Sequence, residues 1–204
     1  MNLTPYLIRG LATGGQFALV AIGYTMVYGI LKLINFAHGD VFMVAGLMLV
    51  YLSASLPLAA AIPLMVLLTV LLGFIIERAA YKPLRTAPRM SVMISAIGVS
   101  YLLQNLATYV TGGLPQMYPA IPDLSAQLTI AGVSTKYVTV ITPVLVVVLV
   151  VALTQLINHT RIGMAMRAVS RDFETAQLMG IRINSVISVT FIIGSLLAAI
   201  GSLL

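Results

Sequence analysis

Charge is what this chain has least of. Of its 204 residues only 8% are Asp, Glu, Lys or Arg, against 60% hydrophobic, and the mean hydropathy is +1.08. A soluble domain carries roughly 25% charged residues, so a water-facing surface all round is excluded and lipid is the expected solvent. Cysteine is absent, which removes disulfides, thiolate metal ligands and a thiol nucleophile without choosing a compartment. The histidines, His38 and His159, stand alone and no H-E-x-x-H occurs, so no metal site is expected. No serine has a His/acid constellation around it, which leaves a membrane hydrolase as a remote reading. No G-x-x-x-x-G-K-[ST] occurs, so the chain does not cradle ATP through a P-loop. The net charge of +6 is spread too thinly for nucleic acid, with no basic stripe interleaved with aromatics. No ionisable side chain falls mid-span, which counts against a proton- or sodium-coupled carrier.

What the chain does have is long apolar runs. They predict an all-α, polytopic transmembrane bundle of about six spans: Gly10–Leu31, Val41–Ser53, Pro57–Ile76, Met90–Thr111, Tyr137–Asn158, and a sixth beginning at Asn184. Val41 to Ile76 is uncharged throughout. One straight helix of that length would be about 54 Å, well beyond a core of about 30 Å, so Ser53-Ala-Ser-Leu-Pro57 is the expected turn. The opening MNLTPYLIRG lacks a cleavable signal architecture, and the first helix is expected to stay in place. Within it, Gly10, Gly14 and Ala18 form a small-xxx-small face for close helix contact.

The loops between spans alternate in character. Glu77 to Arg89 carries four positive charges against one negative and is expected inside by the positive-inside rule. The 112–136 loop, with three prolines and the cancelling charges of Asp123 and Lys136, suits the outside. The 159–183 loop is again basic. Parity then puts 32–40 inside and the N-terminus outside, with Arg9 a weak argument the other way. The chain reads as one transmembrane domain, 1–204, containing a cytoplasmic loop at 159–183. Its apolar ending on Gly-Ser-Leu-Leu suggests a fragment without its C-terminal helices. No internal repeat is visible.

Three stretches carry candidate chemistry. The first is the polar loop from His159 to Ile183, with four arginines and two acids. Arg161 to Leu178 reads as one surface helix, stopped by Gly180. It contains the word Glu174-Thr-Ala176 followed by Gly180, an E-x-A-x-x-x-G pattern. Met164, Ala168, Leu178 and Met179 would form its apolar side, and Arg167, Arg171 and Glu174 its rim. Such a helix can insert as a lever into a groove on another protein or lie on the bilayer with its arginines at lipid phosphates. The local pattern does not separate these. The second stretch holds His38 and Asp40. The favoured reading has Gly39 making a turn and Asp40 capping the following helix; the other is a gate or proton-sensing pair. The third is the fourth span, where Ser91, Ser95, Gly98, Tyr101, Asn105 and Thr108 share one helical face. Packing between membrane helices is slightly preferred there over a substrate route. Tyr24 and Tyr28 share one side of the first span.

The same stretches carry a family resemblance. The E-x-A-x-x-x-G loop is similar to the cytoplasmic coupling loop of ABC importer permeases. Gly23-Tyr-Thr-Met-Val-Tyr-Gly-Ile-Leu-Lys-Leu-Ile-Asn-Phe-Ala-His-Gly-Asp40 resembles the signature of branched-chain amino-acid permeases of the LivH type. Glu77-Arg-Ala-Ala-Tyr-Lys-Pro-Leu-Arg85 and Ala168-Val-Ser-Arg-Asp172 match the same family. The likeness spans essentially the whole chain, with two departures. Thr175 stands where the family usually has a second alanine, and family members continue with further membrane helices.

The resemblance implies an importer of leucine, isoleucine and valine in the inner membrane, working by alternating access. It implies two cytosolic ABC ATPase subunits, which hold the ATP–Mg, a second homologous permease subunit and an extracytoplasmic substrate-binding protein. No cofactor would be bound by this chain, which would not itself be an enzyme. ATPase coupling would fall to Arg167, Arg171, Asp172, Glu174, Ala176 and Gly180. The signature turn would comprise Asn35, His38, Gly39 and Asp40, and the translocation path Tyr24, Tyr28, Ser91, Ser95, Tyr101, Asn105 and Thr108. Importers of urea or short amides share the Asn-x-Ala-His-Gly-acid word; Phe36 and Tyr-Thr-Met-Val-Tyr lean towards amino acids. From another class, a passive channel or ion-coupled carrier would run without any ATPase.

Overall fold

The structure, a computed structural model, describes residues 4–32, 34–85, 87–119, 127–130 and 133–204. Six helices in it are long and apolar enough to cross a membrane. In chain order the elements are α1 (Thr4–Leu31), α2 (His38–Ser55), α3 (Leu58–Ile76), α4 (Arg89–Thr111), a hairpin of β1 (Gln127–Ile130) and β2 (Val133–Lys136), α5 (Tyr137–His159), α6 (Arg161–Arg171), α7 (Phe173–Leu178) and α8 (Ile183–Leu203). A single π turn, Glu77–Tyr81, extends α3. The all-α reading with six spans holds, and the break between the second and third spans falls at Leu56 and Pro57 as expected. The hairpin pairs Gln127 with Lys136 through Ile130 with Val133 and was not foreseen. Asp123, read as part of an outer loop, lies outside the described residues.

Span boundaries differ from the apolar runs at two places. α1 begins at Thr4 rather than Gly10, because one exposed arginine, Arg9, near a span end does not interrupt helical hydrogen bonding. α2 begins at His38 rather than Val41, so the polar residues His38 and Asp40 belong to a helix and not to a loop.

The last span is the hub. In α8, 61% of the span is buried, against 28% or less in each of the others. It packs on α1, α2 and α3, and its small residues let their backbones approach, which is how helices associate where lipid is as apolar as leucine. At Gly73 of α3 an added methyl would overlap the Ser195 hydroxyl and stand 2.7 Å from its Cβ. Of the expected face of Gly10, Gly14 and Ala18, Ala18 packs beside the Leu19 cluster, but Gly10 and Gly14 are a correction: among the described residues nothing lies within 4 Å of where their Cβ atoms would be. The contacts of α1 are instead made around Leu19, buried with Val146 of α5 and Leu197 of α8, and around Gly23. Four-residue spacing marks a face without saying which neighbour meets it.

The loops gather at two ends. At one, Tyr81 donates to Asn35 and Arg85 to Asn184, joining the 32–40 and 77–89 segments to each other and to the start of α8, where the 159–183 segment ends. Nine of the eleven Lys and Arg residues belong to those segments, all but Arg9 and Lys136. At the other end, Tyr51 donates to the Val110 carbonyl at 3.2 Å and Tyr118 to the Ser202 carbonyl at 2.7 Å. The grouping matches the alternation of basic and neutral loops.

Candidate functional site

At the basic end, α6 and α7 lie across the feet of α1, α5 and α8. The expected single helix from Arg161 to Leu178 is corrected to two, broken at Asp172. The break has a local cause. Asp172 takes an extended conformation and accepts from the backbone N–H groups of Glu174 (3.0 Å) and Thr175 (3.3 Å), starting a new helix. The Thr175 hydroxyl donates to its other carboxylate oxygen, giving a physical role to the residue that departs from the family pattern. Gly180 closes α7 as expected, with φ of +82°. Its N–H donates to the Gln177 carbonyl and that of Ile181 to the Ala176 carbonyl, the paired bonds of a Schellman stop. α6 is pinned at its start too: Thr160 accepts from Gly163 N–H at 3.0 Å, and a methyl on Gly163 would strike the carbonyls of Leu156 and Ile157.

Asp172 also responds to pH. The Thr175 hydroxyl, then the Thr175 and Glu174 amides, hold its carboxyl below the ordinary value. A lowered pKa means the cap is complete above the ordinary carboxylate range and is lost only as pH falls through the lowered value. Asp172→Ala is expected to speed hydrogen exchange of the amides at 174–178, and Asp172→Asn, which still caps, to leave it near wild type. Equal exchange in all three would remove the cap from the account of the break.

The two short helices bury one side and expose the other. Gly163, Met166, Val169 and Ala176 face the bundle, while Met164, Leu178 and Met179 are 62%, 87% and 79% exposed. Arg161, Met164, Ala168, Arg171, Thr175 and Met179 help line an open groove of about 460 Å³ between α6 and α7. Of the residues expected to couple to an ATPase, Arg167, Arg171, Asp172, Glu174 and Gly180 are exposed and Ala176 is buried. Arg167 is tied back to the end of α5 through the Ile157 carbonyl. This is an apolar slot with a charged rim, at the basic end of the helix bundle.

The signature turn is built differently from its expectation. Gly39 is helical, with nothing within 4 Å of its Cβ position, and the turn falls at Phe36 and Ala37. Asp40 is no cap: the N-cap is Ala37, without a side-chain bond. Buried at 8% exposure, Asp40 instead accepts from Ser100 and, at 3.0 Å, from Gln104 Nε2, both on α4. Satisfying a buried carboxylate with two donors fixes α2 against α4. His38 goes the other way. It is 3% exposed, in a crevice where a methyl on Gly23 of α1 would stand 2.6 Å from Nε2 and one on Gly194 of α8 would lie 3.5 Å from Cε1. The two side chains therefore serve different helices, Asp40 meeting α4 and His38 lying between α1 and α8. Asn35, also buried, accepts from the Tyr81 hydroxyl at 2.8 Å.

Most of the polar face of α4 is exposed among the described residues, with its first turns partly covered. The helix buries Val92, Ala96, Ser100 and Leu103, whereas Gly98, Tyr101, Asn105 and Thr108 are exposed and Ser91 and Ser95 half-buried. Ser95 donates to the Ala80 carbonyl; Asn105 and Thr108 bond to carbonyls of their own helix, at 2.7 and 2.9 Å. Thr108 also borders a cavity of about 730 Å³ between α2 and α4 at the end opposite the basic one. On α1, Tyr24 is half-buried and Tyr28 exposed, and neither is hydrogen-bonded to α4 among the described residues. Among the described residues no group of His, Cys, Asp and Glu is placed to hold a metal ion.

Residues 6–204 match the family described as the branched-chain amino acid transport system / permease component. The chain belongs to this family. The permease is 36% identical to the "High-affinity branched-chain amino acid transport system permease protein BraD" of Pseudomonas aeruginosa, over 97% of this chain and 69% of that protein. It is 38% identical to the "High-affinity branched-chain amino acid transport system permease protein LivH" of Salmonella typhimurium, and 37% to that of Escherichia coli K12. Both matches cover 97% of this chain and 68% of the relative. No solved structure matches it. Family and spans together make this permease a multi-pass membrane protein.

Sequence reasoning missed four side chains that the fold puts at its joints: Tyr81, Ser100, Gln104 and Glu77. Ser100 and Gln104 lie one turn apart on the side of α4 facing α2, away from the stripe that drew attention. Their partner, Asp40, is some sixty residues distant, and spacing alone cannot show that.

Proposed function

We propose that this permease is one membrane half of an ATP-driven ABC importer that carries leucine, isoleucine and valine across the inner membrane. Two cytosolic ATPase subunits would power it, a second permease would complete the membrane part, and an extracytoplasmic binding protein would deliver substrate. The observation that carries this reading furthest is the α6–α7 surface. An exposed apolar slot bordered by Arg161, Arg171 and Asp172, at the end holding nine of the eleven basic residues, suits a groove on a cytosolic protein. The basic end is then cytoplasmic, and closure of the ATPases would press on α6 and α7.

The α4 stripe fits a second permease. Hydroxyls and an amide facing hydrocarbon gain nothing from lipid, whereas a facing subunit could share a polar path with them. We assign Ser91, Ser95, Tyr101, Asn105 and Thr108 to that path, with Tyr24 and Tyr28 towards its basic end. The absence of a mid-span charge agrees with weak binding in transit, selectivity being set by the binding protein.

Uptake of radiolabelled leucine into vesicles holding the full complex tests the reading. Uptake is expected only with ATP, and to be blocked by valine and isoleucine but not by urea. Uptake indifferent to ATP would overturn the importer; ATP-driven uptake of urea without leucine would replace the substrate.

A further inference from the structure

π turns are rare and cluster at functional positions, because the wider i→i+5 ring is a poorer use of backbone hydrogen bonding. α3 ends in one. Lys82 N–H donates to the Glu77 carbonyl at 2.8 Å, closing the turn Glu77–Tyr81. Glu77 is fully buried. Arg85, from the segment that follows, pairs with its Oε1, and Ser188 of α8 donates to its Oε2 at 2.9 Å. With its other terminal nitrogen Arg85 donates to Asn184, one turn earlier on α8. Tyr81, at the far end of the π turn, reaches Asn35 ahead of α2 and lies against Phe191 of α8 with ring centroids 5.1 Å apart. One π turn thus holds α8 at Asn184, Ser188 and Phe191 and holds the signature turn at Asn35.

Stability alone does not explain this arrangement. A buried ion pair is often no better than well-packed apolar side chains, because desolvation offsets the attraction. What it does supply is a tie with fixed geometry, and Arg85 uses the two-pronged fork that a lysine lacks. Its position matters as well. α8 starts at Ile183, just after Gly180 ends α7, so one of the two routes by which displacement of α6 and α7 enters the membrane, the other being α5, runs through the residues the tie grips. Glu77–Arg85 is the one ion pair among the described residues.

We propose that Glu77, Arg85, Asn184 and Ser188 form a latch that passes the movement of α6 and α7 from α8 to α3 and, through Tyr81 and Asn35, to α2. They are positioning residues, touching neither substrate nor nucleotide. The inference rests on the coupling reading above and goes beyond it by naming how the motion enters the spans.

The test measures leucine uptake and ATP hydrolysis in the same proteoliposomes containing the complete complex, and takes their ratio. Glu77→Gln would strand a buried guanidinium and risks misfolding, so Ser188→Ala and Arg85→Lys are used; each leaves Glu77 one partner. With subunits present in wild-type amounts, hydrolysis is expected to continue while leucine carried per ATP falls about tenfold, the scale of one lost charge-assisted hydrogen bond. An unchanged ratio in both variants would overturn the latch, as would uptake and hydrolysis falling together with the amount of assembled complex. Wild-type vesicles without ATP-dependent uptake would overturn the importer reading and the latch with it, an outcome distinct from either.

Discussion

Gly73→Ala is expected to lower the melting midpoint of the detergent-solubilised protein by about 4–8 °C, and Gly73→Ala with Ser195→Gly to recover most of that loss. The added methyl on α3 would occupy the place of the Ser195 hydroxyl and lie 2.7 Å from the Ser195 Cβ. A rotamer change could clear the hydroxyl. It cannot move the Cβ, which is fixed by the α8 backbone, so the helices must part. Overpacking of this kind costs about 1–3 kcal/mol. At about 2 kcal/mol, and roughly 2–4 °C per kcal/mol for a chain of this size, the stated shift follows. The effect is large because the polar tie between α3 and α8 sits at their basic end, leaving close packing to hold the rest of the crossing in lipid, and because α8 is the hub of the bundle. Removing the Ser195 side chain empties the same space, so the two changes must couple rather than add. Melting curves of the two single variants and the double one decide it. A Gly73→Ala protein that melts like wild type, or a double variant weaker than both singles, would show that the crossing is looser than described.

The crossing at Gly73 also marks where sequence reading stops. The six spans were legible because each is a run of apolar residues long enough for the bilayer, and the short break at Leu56 and Pro57 because a proline stands there. The α6–α7 break had a local signal that went unused: Asp172 directly precedes Phe173-Glu-Thr, a helix start in the middle of a helical pattern. The stop at Gly180 was read correctly, since a left-handed turn favours glycine on local grounds alone. Asp40 was misread for the opposite reason. An acid at a helix start has a plausible local role as a cap, and only the fold brings up Ser100 and Gln104 to take its oxygens. Glu77 looked like one charge in a basic loop, because a fully buried acid and a solvated one are spelled alike. Small residues on α1 show the same limit: the Gly10–Gly14 spacing is as regular as any, yet it is Gly15 and Gly23 that meet other helices. Of the candidate site, the exposed rim of α6 and α7 could be read from the chain, while the joints beneath it depend on partners too far away in sequence.

Glu174→Lys is expected to reduce ATP-driven leucine uptake tenfold or more while the subunit stays in the membrane and the ATPase still hydrolyses ATP. Glu174 is exposed and makes no ion pair among the described residues. Its carboxylate therefore holds nothing among the described residues, and the local cost of a lysine in the first turn of α7 is limited to about 0.3–1 kcal/mol of unfavourable helix dipole. That is too little to unfold α7, whose ends are fixed by Asp172 and Gly180. If the segment docks in an ATPase groove, however, reversing a charge at the contact turns an attraction into a repulsion. A loss of about 2 kcal/mol there, within the range for charged contacts at interfaces, is more than a tenfold change. Paired assays of uptake and hydrolysis, with the amount of inserted subunit measured alongside, check this. A cysteine at Gln177 provides the geometric control, since the chain has no other: it should cross-link to a cysteine in the groove in wild type and less in the Glu174→Lys background. The competing arrangement, in which α6 and α7 lie on lipid, predicts the reverse sign. There a new lysine would add attraction to anionic headgroups, about 1 kcal/mol per basic residue near the surface, and transport would not suffer. Unchanged uptake together with no cross-link at Gln177 would therefore give the segment to the bilayer and take it out of the coupling mechanism.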